Sequence, residues 1–101
     1  MIKVCPVVTR TINDTQEILL FRHPLAGIQL VKGTLETNET ITEAALRELE
    51  EESGITEVTE TTYLCQWQDT HLAIEWHFIH CNVDGLPDTW TYFTNDDGGH
   101  L

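Results

Sequence analysis

One stretch, residues 33–55, constrains the fold of this 101-residue chain more than any other. It reads GTLETNETITEAALRELEEESGI: a glycine turn, a short acidic loop and a helical pattern. Glu48, Glu51 and Glu52 are spaced i, i+3 and i+4, so a helix places all three carboxylates on one face. Like charges at this spacing repel one another, and the helix carries Arg47 as its single basic residue. The spacing therefore predicts a site for a hard divalent cation, which prefers oxygen ligands.

The helix has sequence signals for both of its ends. Thr40 and Glu43 fit a capping box at the N-terminus, and Gly54 supplies a C-terminal stop. An apolar stripe repeats at i, i+4 and i+8 through Ile41, Ala45 and Leu49. These signals together predict a helix from Ile41 to Ser53.

The rest of the chain is predicted to be mainly β-strand. Segments rich in β-branched and aromatic residues predict strands at 2–12, 17–21, 28–31, 58–68, 71–83 and 90–93. The second segment, EILLF, is continuously apolar, which favours burial on both faces, and the turn at Asn13 predicts a hairpin with the first. The alternation in 71–83 predicts a half-buried strand.

Composition narrows the class of protein. The net charge of −12 argues against binding to nucleic acid or an anionic membrane, because both use basic patches. Metal ions could still join an acidic protein to a phosphorylated substrate. Cys5, Cys65 and Cys81 form no CxxC pair, which favours reduced, mostly buried thiols in a cytoplasmic protein. We expect one domain over residues 1–101, without a signal peptide or a membrane span.

The glycine turn and the acidic helix resemble the signature of the Nudix (MutT-like) hydrolases. That signature is a Gly, five residues, a Glu, seven residues, and then Arg-Glu-apolar-x-Glu-Glu-x-Gly-apolar. Every spacing is kept by Gly33, Glu39, Arg47, Glu48, Leu49, Glu51, Glu52, Gly54 and Ile55. We refer to residues 33–55 as the Nudix box.

The resemblance implies an α/β fold, a Nudix-type α/β/α sandwich with a mixed sheet and a central acidic helix. It also implies hydrolysis of a nucleoside diphosphate linked to another moiety, with Mg²⁺ or Mn²⁺ as cofactor and a small nucleotide-type molecule as substrate. The alternative is a catalytically silent Nudix-fold module that binds nucleotides or regulates a partner. Both the hydrolase and the silent module would retain the box, so turnover of substrate is what distinguishes them.

The resemblance also assigns provisional roles to residues. The carboxylates of Glu48, Glu51 and Glu52 and the carbonyl of Lys32 would bind the metal. Either Glu48 or Glu52 would also activate the attacking water, and Arg47 would hold the Glu row through charge-assisted hydrogen bonds. The remaining roles fall to Glu36 and Glu39, which would support the loop, and to Arg22, Lys32 and Gly33, which would lie against the substrate.

Several features of the family are altered or absent in this sequence. Ile28 and Val31 stand where many members have an aromatic residue and a proline, so the substrate class stays open. Members usually continue with another strand and a C-terminal helix, and we expect this chain to lack both. One sheet face would then expose an apolar patch that favours a homodimer. A distal acid or base that completes the site could be Glu75, Asp96, Asp97 or His100.

Overall fold

The computed structural model describes residues 1–23, 27–87 and 90 of the chain. Its elements, in chain order, are β1 (Ile2–Ile12), β2 (Thr15–Ile18), β3 (Phe21–His23), β4 (Gly27–Gln29), β5 (Gly33–Thr34), α1 (Ile41–Ser53), β6 (Glu60–Asp69) and β7 (Ile74–Asn82). Of the strand predicted at 90–93, only Trp90 lies among these residues. Asp96, Asp97 and His100, three of the candidates for the distal acid or base, lie outside them.

Strands β1 and β7 form the centre of a mixed sheet. The strand order is β2-β1-β7-β6, and β5 pairs with Lys3 and Val4 near the start of β1. β1 and β7 run parallel, in a register that begins at Ile2 with Glu75 and ends at Thr9 with Asn82. The other pairs are antiparallel, and β3 and β4 form a separate two-stranded sheet. The predicted mixed α/β sheet is confirmed.

The predicted hairpin of β1 and β2 is also present, but the expected burial of its second strand is wrong. Asn13 and Asp14 have φ of 50° and 65°, the left-handed pair that a tight two-residue hairpin requires. The predicted strand at 17–21 divides into β2 and β3, and every residue of β2 is exposed. The reason is position: among the described residues β2 pairs only with the last part of β1, and the next strand, β3, pairs with β4 outside this sheet.

Helix α1 has the predicted bounds because both of its caps form. The Thr40 hydroxyl accepts a hydrogen bond from the Glu43 amide at 3.1 Å, and the Glu43 carboxylate accepts one from the Thr40 amide at 2.9 Å. Gly54 has φ of 80°, and its amide donates to the Glu50 carbonyl at 2.9 Å. These bonds satisfy backbone groups that a helix end otherwise leaves unpaired.

The core lies between α1 and the centre of the sheet. Ala45 and Leu49 of the helix are fully buried, as the apolar stripe predicts. They belong to a cluster that also contains Val8, Val31, Ile55, Ile79, Cys81 and Val83. No helix in the described part of the chain is long and apolar enough to cross a membrane.

A turn displaces the predicted boundaries of the last two strands. The Asp69 carboxylate accepts hydrogen bonds from the amides of His71 and Leu72 at 3.0 and 3.1 Å. Ala73 is left-handed, with φ of 55°. The side chain of Asp69 therefore closes a turn, and β7 begins at Ile74 instead of at residue 71.

Strand β6 is exposed over almost its whole length. Its exposed large side chains are Tyr63, Leu64 and Trp67, and it pairs with β7 alone among the described residues. Tyr63 lies opposite Ile79 and Trp67 lies opposite Trp76, so these two side chains are on opposite faces of the sheet. The apolar patch on one sheet face and the homodimer both stay predictions. Of the three cysteines, Cys5 and Cys81 are buried thiols as expected, and Cys65 is an exposed one.

Candidate active site

Arg47 is the centre of the candidate site. Its guanidinium has five N–H groups, and five hydrogen bonds use them. Nε and Nη2 donate to the Glu39 carboxylate at 2.7 and 2.9 Å, and Nη2 also donates to the Thr34 carbonyl at 2.9 Å. Nη1 donates to Glu48 at 2.7 Å and to Glu51 at 3.2 Å. One arginine therefore connects the loop before the helix with the carboxylate row on the helix.

This hydrogen bonding changes the acid–base properties of Arg47 and Glu39. The hydrogen bond to Glu39 is the largest cause that raises the pKa of Arg47 above its usual value. The same bond is the largest cause that lowers the pKa of Glu39. Both groups are therefore charged near neutral pH. Glu36 lies 3.2 Å from Nε of Arg47, but its side chain is 58% exposed, so water weakens this pair.

Gly33 provides the space that the Glu48 carboxylate occupies. It lies in β5 opposite Val4 of β1, and a Cβ built on Gly33 would overlap the carboxyl group of Glu48. Its φ is not in the left-handed region, so the requirement for glycine here is space and not backbone freedom. The group that approaches Gly33 closely is therefore the carboxylate of Glu48, which is only 5% exposed.

Glu52 contacts the residue that precedes Gly33. One of its carboxylate oxygens accepts a hydrogen bond from the Lys32 amide at 3.1 Å, and the residue is 5% exposed. Cys5 is buried near Lys32 and Glu52, and burial is the main cause that raises its pKa to about 11. The thiol is therefore protonated and unreactive at neutral pH.

The structure brings together most of the residues that the sequence singles out. One connected group contains Lys32, Gly33, Glu36, Glu39, Arg47, Glu48, Glu51 and Glu52. Arg22 is not part of it: this residue is exposed in β3. The predicted distal acid Glu75 belongs to a different group, described below.

The three predicted metal ligands share a helix face but do not converge in this arrangement. No three His, Cys, Asp or Glu side chains within residues 1–23, 27–87 and 90 form a set that could hold a metal ion. Glu48 and Glu51 point to Arg47, and Glu52 points to the Lys32 amide. The chemistry of these donors nevertheless suits a hard cation, because all of them are carboxylate oxygens.

A second polar group lies on β6 and β7 and consists of Tyr63, Glu75 and His77. The sequence does not predict that these three residues lie together. His77 is 8% exposed; its Nε2 lies 2.6 Å from a Glu75 oxygen and its Nδ1 lies 2.8 Å from the Tyr63 hydroxyl. The alternation of β7 could have placed Glu75 and His77 on one face. Tyr63 comes from the neighbouring strand, and no local pattern identifies it as their partner. Trp90 donates its indole N–H to the Ser53 carbonyl at 2.9 Å.

Comparison with known families identifies the class of protein. The NUDIX domain family matches residues 4–98, and the chain belongs to this family. The match covers the Nudix box together with the strands on both sides of it. A comparison with curated proteins finds no match.

Solved structures with the same fold include several family members. A MutT/nudix family protein from Enterococcus faecalis has 19% identity and a TM-score of 0.74, over 91% of this chain and 43% of that chain. The NUDIX domain of Shewanella oneidensis NrtR, solved with ADP ribose, has 18% identity and a TM-score of 0.69, over 85% and 62%. A structure from work on MutT of Aliivibrio salmonicida and Vibrio cholerae has 25% identity and a TM-score of 0.64, over 98% and 72%.

The chain spans less than two thirds of the length of the first two of these proteins, 43% in one case and 62% in the other. At identities of 18% and 19% they show the fold alone. Among them, the NrtR structures contain ADP ribose in one case and a 27mer DNA in another.

Proposed function

We propose that this Nudix domain hydrolyses a nucleoside diphosphate linked to another moiety, in a reaction that depends on Mg²⁺ or Mn²⁺. One observation carries the proposal: the box folds as a single hydrogen-bonded unit in which Gly33, Arg47 and Glu48 depend on one another. A helix that carried acidic residues only for solubility would not bury Glu48 and Glu52 to 5% exposure, because buried carboxylates are costly.

In this proposal Glu48, Glu51 and Glu52, with the carbonyl of Lys32, hold the metal. A bound divalent ion would neutralise the charge of the diphosphate and lower the pKa of a water molecule. With the ion bound, Glu48 or Glu52 would orient that water or take its proton. Their burial restricts access of bulk water, which strengthens each electrostatic contact with the substrate.

The remaining residues position this group. Arg47 holds Glu48 and Glu51 in register through Nη1, and Glu39 fixes Arg47 in turn. Lys32 and Gly33 lie at the turn beside Glu52 and Glu48, where a phosphate could reach them. Arg22 is exposed and separate from this group, so its contact with substrate requires a molecule that extends beyond the diphosphate.

The test is a screen of nucleoside diphosphate derivatives with Mg²⁺ or Mn²⁺, with release of phosphate-containing products as the readout. Glu52→Gln should reduce kcat by about two orders of magnitude or more, because a ligand or base is lost. Glu50→Gln makes the same charge change on an exposed position of α1 and should leave kcat within about twofold. Equal turnover of both variants would contradict the assignment.

A second candidate function is binding of a nucleotide without turnover. It is favoured by the arrangement of the carboxylates, which Arg47 and the Lys32 amide occupy. Calorimetric titration with Mg²⁺ and with ADP-ribose, run beside the hydrolysis screen, separates the two candidates. Binding without hydrolysis of any derivative would support the module, and metal-dependent product release would exclude it.

A further inference from the structure

We propose that Arg47 and the divalent cation compete for Glu48 and Glu51, so that Arg47 lowers the affinity of the site for metal. This inference rests on the proposed function, because it concerns the same metal site. Competition and a purely supporting role for Arg47 predict opposite changes in metal affinity when Arg47 is removed. If Arg47 only positioned the ligands, its removal would weaken metal binding; if it competes, its removal strengthens metal binding.

The division of hydrogen bonds within the guanidinium supports competition. Both Nη1 N–H groups are used by predicted metal ligands, Glu48 and Glu51. The other three N–H groups bind Glu39 and the Thr34 carbonyl. A cation could therefore take the two helix carboxylates from Nη1 while Nε and Nη2 keep their partners. The guanidinium would stay anchored to the loop during this exchange.

The two bonds made by Nη1 are unequal. Glu48 accepts at 2.7 Å with a side chain 7% exposed, whereas Glu51 accepts at 3.2 Å with a side chain 42% exposed. An exposed carboxylate at longer distance is released more easily, since water replaces the lost partner. We therefore expect the cation to displace Arg47 from Glu51 first and from Glu48 second.

Glu39 opposes this competition. Its carboxylate accepts from both Nε and Nη2 in a paired arrangement, which is the strongest geometry for an arginine–carboxylate contact. It neutralises the guanidinium locally and keeps it at the loop. Without the Glu39 charge, Arg47 would attract Glu48 and Glu51 more strongly. Glu39 is therefore inferred to be a positioning residue that raises metal affinity through Arg47.

The decisive experiment measures Mn²⁺ affinity in the absence of substrate, by electron paramagnetic resonance of the free ion. Arg47→Gln should bind Mn²⁺ about tenfold more tightly than the wild type, equivalent to about 1.4 kcal/mol. Glu39→Gln should bind it about tenfold more weakly. Glu50→Gln, which removes the same charge from an exposed position on α1, should stay within about twofold. Weaker Mn²⁺ binding by Arg47→Gln would overturn the inference.

A measurement on the wild-type protein keeps the inference testable if Arg47→Gln does not fold. Nitrogen-15 NMR of the arginine side chain reports hydrogen exchange at Nη and at Nε separately. Addition of Mg²⁺ should accelerate exchange at Nη1 while Nε stays protected by Glu39. Protection of Nη1 that persists at saturating Mg²⁺ would show that Glu48 never leaves Arg47, and the inference would fail.

Failure of this inference can be told from failure of the proposed function. Hydrolysis of a diphosphate together with weaker Mn²⁺ binding by Arg47→Gln would retain the function and reject the competition. The expected shifts in Mn²⁺ affinity without hydrolysis of any derivative would retain the competition and reject the function.

Discussion

Replacement of Gly33 by alanine tests the close contact on which the site depends. The new methyl group would enter space that the Glu48 carboxyl group occupies. Glu48 cannot yield freely, because its side chain is 7% exposed and is bonded to Arg47. The methyl group and the carboxylate therefore cannot both keep their present positions, and the carboxylate has to move.

The expected change in the free energy of unfolding is the sum of two destabilising contributions and one stabilising contribution. Forcing a methyl group into a packed site costs about 1–3 kcal/mol, and loss of a charge-assisted hydrogen bond costs about 1.5–3 kcal/mol before water replaces it. Replacing glycine by alanine recovers about 0.4–1 kcal/mol by restricting the unfolded chain, since the φ of Gly33 is not left-handed. Because water replaces part of the lost hydrogen bond, we expect a net loss near the lower end of the sum of these contributions, about 2 kcal/mol in the free energy of unfolding.

The assay is urea denaturation of four proteins: wild type, Gly33→Ala, Glu48→Ala and the double variant. If the clash with Glu48 is the cause, Gly33→Ala should lower the free energy of unfolding by about 2 kcal/mol in the wild-type protein. The same substitution should lower it only slightly in the Glu48→Ala protein. Gly85→Ala is a control of the other kind: its φ is 73° and its Cβ would meet nothing within 4 Å. It should lose stability through backbone strain alone and keep the metal affinity of the wild type. An equal cost of Gly33→Ala in both backgrounds would refute the reasoning.

Three further predictions concern pH, thiols and the helix cap. Arg47 lowers the pKa of Glu39 below its usual 4.5, so this contribution to the free energy of unfolding is present above pH 4.5 and is lost as pH falls through the lowered pKa; Glu39→Gln should flatten that part of a stability-versus-pH curve. A thiol reagent at pH 8 should modify Cys65 rapidly and the other two cysteines slowly, because burial raises the pKa of Cys5 and of Cys81 to about 11; equal rates would show that the two thiols are accessible. Thr40→Ala should lower the free energy of unfolding by about 1 kcal/mol, because the capping box is lost, and an unchanged urea midpoint would contradict this.

Local sequence predicts the helix and its site better than it predicts the sheet. Both caps of α1 depend on residues within four positions of each helix end, and the row from Glu48 to Glu52 follows from helix periodicity alone. The partner of Arg47 in the loop, Glu39, was identified through the family signature and not through periodicity. Its bonds to Arg47 depend on how the loop folds back over the helix.

The wrong expectation about the second strand depends on which strand lies at the edge of the sheet. An apolar run such as EILLF predicts a strand but does not specify whether neighbours cover it, and β2 is exposed. Strand β7 alternates as predicted for a half-buried strand, and its more deeply buried side carries His77 with Ile79. A histidine is tolerated there because Tyr63 and Glu75 satisfy both ring nitrogens. Glu75 is two residues from His77 on the same strand, whereas the contact with Tyr63 forms across strands and no local pattern predicts it.

The parallel pairing of β1 with β7 has a consequence for the order in which the molecule folds. Ile2 pairs with Glu75, so nearly the whole described chain lies between the two strands at the centre of the sheet. Closing a loop of this length before any contact compensates for it is slow, whereas α1 can begin to form within its own segment. During synthesis on a ribosome, β1 cannot form its parallel pairing with β7 until β7 has been synthesised. Mutations in β1 and β7 should therefore alter the rate of folding, and mutations in the exposed strand β2 should mainly alter the rate of unfolding.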